Sequence, residues 1–194
     1  MAKIEKETID SIIKNGYLLG SLSRERVWDE IKKSYSQSKD FNEYLKYLLD
    51  FNLMLYIFPG SDINTDLVDS KDFVVVIANL FKNESTTGLE RKLVQDYKIE
   101  SETATKVTFL ISLLSFKIEE VFDIYKKRVQ CGIKDNSILE WIKVLGLDND
   151  YLVKFIDYKP TTSAEELMSK GFKGKELGDE IKRIEVKKFM NYED

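Results

Sequence analysis

Two carboxylate patterns are the first places in this chain where chemistry could reside. Asp62-Ile63-Asn64-Thr65-Asp66 sets oxygen ligands at alternate positions, as the opening of a calcium loop does. Such a loop needs glycine at its sixth position and glutamate at its twelfth, and Leu67 and Phe73 stand there instead. The segment therefore reads as an Asx-rich acidic loop, and no metal ligand is assigned. Carboxylates also occur as neighbours at Asp29/Glu30, Glu119/Glu120, Glu165/Glu166 and Asp179/Glu180. Adjacent helical residues point about 100° apart, so such a pair rarely converges on one ion, and each reads as a solvated face. The chain has no histidine, one cysteine (Cys131) and no GxxxxGK[ST] phosphate loop. That excludes imidazole general bases, Ser-His-Asp triads, internal disulfides and thiolate zinc sites. No catalytic residue is assigned.

A more specific constellation lies near the C-terminus. Ser163 and Glu166 have capping-box spacing, and Gly171 is placed to end the short helix that follows. A tight Phe172-Lys173-Gly174 connection then feeds a second helix, with Gly178 one turn inside it. A glycine there costs about 1 kcal/mol relative to alanine, which a close crossing of the two helices would explain. The uncovered amides of Gly174 and Lys175, flanked by Lys170 and Lys173, form a phosphate-binding corner, with Lys182 further along. These five residues are the candidate phosphate contacts. Ser163 to Met190 holds seven basic and six acidic residues, so the patch is local. A hairpin docked on the bundle with its lysines in water accounts for the same residues without RNA.

Helices are expected to position this corner. Ile4, Ile9, Ile12, Ile13 and Tyr17 recur at helical spacing, with Gly16 and Gly20 at the end of the run. Ser23 reads as an N-cap before Val27, Trp28, Ile31 and Tyr35, and Arg26 is placed to pair with Asp29 or Glu30. Asp40 with Glu43 is a capping box, and Leu53 to Phe58 is a short buried helix stopped by Pro59-Gly60. Phe73 to Phe81 carries the β-branched run Val74-Val75-Val76-Ile77, but its helical surroundings favour a helix starting near Ser70. Further helical patterns follow around 89–93, 101–114, 118–129 and 137–145, and another opens at Asp148. The expected fold is all-α: a multi-helix bundle over 1–159, including the N-terminal helix, with a helical hairpin tail over 160–194 beyond the Pro160 boundary.

The 194 residues carry 30 basic against 34 acidic side chains, a formal charge of -4. Any nucleic-acid contact must therefore be a local patch. Only five basic residues are arginines, which disfavours sequence-specific DNA readout by bidentate guanine contacts. No apolar run approaches a membrane span and no secretory leader is visible, so a cytoplasmic location without a membrane partner is expected.

The segment Glu166 to Gly178 resembles the tail motif of bacterial-type tRNA nucleotidyltransferases, the CCA-adding enzymes, and the related poly(A) polymerases. Leu22-Ser23-Arg24-Glu25-Arg26-Val27-Trp28-Asp29-Glu30 is similar to that family's body signature after the neck, and Leu49 to Pro59 to its next body helix and proline turn. The resemblance implies a helical body and tail that grip tRNA, which makes Lys170, Lys173, Gly174, Lys175 and Lys182 the expected RNA contacts. It places chemistry in a separate head with paired metal-binding aspartates, and nucleotide selection in a neck motif; neither is found here. The implied function is a tRNA-binding module used in tRNA processing, non-catalytic alone or a subunit of a split nucleotidyltransferase. The partners are then tRNA and a catalytic subunit that docks on Ile4–Tyr17, with Mg2+ needed only by that head. A protein-interaction or regulatory role that kept the scaffold without RNA is the alternative.

Overall fold

The computed structural model describes residues 4–147 and 149–191. Among the described residues, twelve α-helices and three short 3-10 turns make up the regular structure, and no strand occurs. The all-α expectation holds, and the chain divides into two compact units, 1–111 and 112–194.

In the first unit, α1 (Lys6–Asn15) runs into a 3-10 turn, Gly16–Ser21, followed by α2 (Arg24–Gln37), α3 (Phe41–Asp50) and α4 (Met54–Ile57). The N-caps are those the sequence marks. Ser23 accepts from the Arg26 amide and Asp40 from the Glu43 amide, satisfying donors that a first helical turn leaves open. Arg26 does not bridge to Asp29 or Glu30; those carboxylates pair with Lys32 and Lys33, one turn on. The β-branched run becomes α5 (Phe73–Leu80), because Asp72 accepts from the Val74 and Val75 amides and starts the helix there. Helices α6 (Leu89–Gln95) and α7 (Ser101–Ser112) follow. Trp28, Leu45, Ile77, Leu80, Leu93 and Leu110 are buried in this unit, beside an aromatic cluster of Phe58, Phe81 and Tyr97.

The acidic 61–70 segment has no helix or strand. It is pinned by buried Asn64, whose amide donates to Leu80 O at 2.8 Å and whose side chain donates to Asp66 O at 2.8 Å. Asn79 donates to the same carbonyl at 2.6 Å. Asn64 thus serves the loop's own backbone.

The second unit holds α8 (Val121–Cys131), α9 (Asp135–Leu145), α10 (Asp150–Asp157), α11 (Ala164–Ser169) and α12 (Gly174–Met190). The helix start expected at Asp148 lies outside the described residues, and Asn149 caps α10 through the Tyr151 and Leu152 amides. Val121, Ile138, Trp141, Leu152, Phe155 and Phe189 are buried. Helix α12 packs along α8 and against α11, and α9 against α10. The boundary expected at Pro160 thus falls within this unit.

Candidate functional site

Helices α11 and α12 form the expected hairpin, and its turn follows from two glycines. Gly171 has φ +99° just past α11, where its amide donates to Met168 O and the Phe172 amide to Leu167 O. This is a left-handed helix end that favours glycine. Gly174 has φ +55° at the start of α12. Lys173, the N-cap, offers no side-chain acceptor, so the first-turn amides of α12 have no capping side chain.

Lys170, Lys173, Gly174 and Lys175 are all exposed around this turn. The nearest acidic groups on α12 are Glu176 in the first turn and Asp179 and Glu180 in the second. Lys182 stands apart, about 12 Å along the helix from Gly174 at 1.5 Å per residue. Its Nζ lies 2.7 Å from Asp123 Oδ2 on α8. That hydrogen bond holds the ammonium above the usual lysine range. Lys126 and then Lys182 hold Asp123 below the usual carboxylate range. Four of the five expected contacts therefore meet at one corner, while the fifth has its charge engaged by a carboxylate.

Gly178 corrects the expectation of a helix crossing. It is exposed, and a Cβ built there meets nothing within 4 Å. The close approach is at Gly16, where a Cβ would fall 2.7 Å from Leu53 Cδ2 and 3.3 Å from Tyr56 Cε2.

The body motif residues turn inward. Arg24 donates to Tyr56 O at 2.7 Å and to Ile57 O at 3.1 Å, satisfying carbonyls at the end of α4. Trp28 is buried and donates to Glu100 Oε2 at 2.6 Å. Arg128 repeats the device in the second unit, donating to Phe155 O and Ile156 O at the end of α10. In contrast, α1 buries none of its residues, and Ile13, Tyr17, Leu18 and Leu22 expose 46%, 59%, 50% and 40% of their surface.

Sequence reasoning missed Glu185. It is 1% exposed, accepting from the Tyr158 hydroxyl at 2.8 Å and from the Thr161 and Thr162 amides at 3.0 and 2.6 Å. Burial alone would raise its carboxyl; hydrogen bonds from Thr162, Tyr158 and the two amides outweigh this and hold it below the usual range. Burial first, then Glu185, pushes the Tyr158 hydroxyl far above its ordinary value. The available signal was positional: Glu185 lies four residues from both Ile181 and Phe189, on the apolar stripe of α12.

Residues 3–63 match the family model described as "Probable RNA and SrmB-binding site of polymerase A". The match is a similarity, over those residues alone, to an RNA-binding region of the poly(A) polymerase family, and it covers less than a third of the chain. Both body motifs lie within it, and the 166–178 segment lies outside it. No curated protein and no solved structure matches the chain significantly. No helix among the described residues is long and apolar enough to cross a membrane.

Proposed function

We propose that the chain is a tRNA-binding helical module that resembles the body and tail of a CCA-adding enzyme and works beside a separate catalytic nucleotidyltransferase subunit in the cytoplasm. The observation that carries this is the match of residues 3–63 to an RNA-binding family region. In the second unit, the exposed corner of Lys170, Lys173, Gly174 and Lys175 supports a phosphate contact: backbone donors and ammonium groups face solvent together. Lys182 enters as the residue that fixes α12 on α8. The chain binds and orients; a metal belongs to the partner that performs nucleotide transfer.

The exposed apolar face of α1 and the following turn supports docking of that subunit. The same face also favours a second reading, a protein-interaction role without RNA.

Titration of the full chain with tRNA and with an unrelated hairpin RNA, at several salt concentrations, tests the proposal. Saturable, salt-sensitive binding that prefers tRNA is expected, and Lys173→Ala with Lys175→Ala should shallow the salt slope. Equal affinity for the hairpin removes the tRNA assignment, and salt-insensitive binding removes the phosphate contact. Protein purified alone should add no nucleotide to CCA-truncated tRNA supplied with CTP, ATP and Mg2+.

A further inference from the structure

A second feature of the C-terminal unit is unrelated to the turn at Gly174. Between α10 and the last turns of α12 lies a cleft of about 700 Å3. That is within the range of pockets that hold small organic ligands, about 300–1,000 Å3. Its floor is apolar and aromatic, from Tyr158, Ile184 and Phe189, with the Tyr158 and Phe189 rings edge to face at 5.2 Å. Lys154, Lys159, Lys187 and Lys188 line it from three chain segments.

Opposing these four ammonium groups are Asp157 and Glu185. The Glu185 oxygens already accept from Tyr158 and the Thr161 and Thr162 amides. Lys188 donates to the neutral hydroxyls of Thr161 and Thr162 at 2.8 and 3.1 Å, and its Nζ is 3.9 Å from Glu185. Lys154 lies over the Phe189 ring at 5.5 Å. Among the described residues, Lys159 and Lys187 form no salt bridge. The cleft thus joins an apolar floor to a rim with surplus positive charge, and Asn191 and Thr161 add polar groups. Its occupant needs a flat apolar body, a polar edge and an anionic group.

We propose that this cleft binds a nucleotide, with its phosphate at Lys159 and Lys187 and its base against the Tyr158–Ile184–Phe189 floor. The nucleotide is either free or one unit of a single-stranded RNA; only the RNA source draws on the function proposed above.

The test titrates the 194-residue chain with each of AMP, CMP, GMP and UMP, with a twelve-nucleotide single-stranded RNA, and with inorganic phosphate. Variants are Lys159→Ala/Lys187→Ala, Ile184→Ala, Lys173→Ala/Lys175→Ala, and, as the comparison, Lys117→Ala/Lys143→Ala at two exposed lysines outside both sites. Saturable binding of a mononucleotide or the RNA, weakened about tenfold by either cleft variant and unchanged by the comparison, is expected. Mononucleotide binding identifies the free source, and binding of the RNA alone identifies the strand. Absence of both, inorganic phosphate binding as tightly as the nucleotide, or no effect of the folded Lys159→Ala/Lys187→Ala variant overturns the proposal. RNA binding that depends on Lys173 and Lys175 but not on the cleft overturns this inference and leaves the earlier function standing.

Discussion

Gly16 and Leu53 are packed so closely that a methyl group on Gly16 would sit 2.7 Å from Leu53 Cδ2. Leu53 is itself buried, which limits its escape by rotation. Gly16→Ala should therefore destabilise the first unit by about 1–3 kcal/mol through overpacking. Gly178→Ala should stabilise α12 by about 0.5–1 kcal/mol, because the site is open and alanine is the better helix former. Urea midpoints of the two variants should shift in opposite directions; movement of both the same way contradicts the packing described.

Arg24 and Arg128 each close the end of a short helix with a charged donor. Replacing either by alanine leaves part-buried carbonyls without that donor and should cost about 1.5–3 kcal/mol. Equilibrium unfolding checks this, and tRNA affinity measured per folded molecule should stay unchanged in Arg24→Ala.

Lys182 and Asp123 form a partly exposed pair, so their coupling in a double-mutant cycle should be small, about 0.2–1 kcal/mol. Lys182→Ala should leave RNA affinity and its salt slope close to those of the parent. A loss equal to that of Lys173→Ala would show Lys182 exchanging Asp123 for a phosphate.

The Glu185 network makes the second unit sensitive to acid. Its folded carboxyl is held below the ordinary value of 4.5, so the stabilisation is present above that pH and disappears as pH falls through the folded value. The raised Tyr158 hydroxyl acts at the other end: its contribution is full below pH 10.0 and is lost at higher pH. Thermal unfolding followed between pH 7 and 3 should fall more steeply in the parent than in Glu185→Gln. Parallel curves would mean that Glu185 carries no pH-linked stability.

Helix identity was legible in the sequence wherever a cap and a period agreed, as at Ser23, Asp40 and Ser163. At 73–80 residue preference pointed to a strand, and the Asp72 cap with its helical setting prevailed. The corner at 170–175 could be read because glycine punctuates it. Partners distant in sequence could not be read. Lys182 meets Asp123 across 59 residues, and Arg24 reaches Tyr56 O across 32. Gly16 and Gly178 look alike as letters and differ only in what stands opposite them.

Each compact unit encloses one indole, Trp28 in the first and Trp141 in the second. The Trp28 ring nitrogen is tied to the Glu100 carboxylate, whereas that of Trp141 has no hydrogen-bond partner among the described residues. Their fluorescence therefore arises in chemically different surroundings. With one tryptophan replaced by phenylalanine at a time, emission reveals whether the halves melt together or in sequence, without any attached dye.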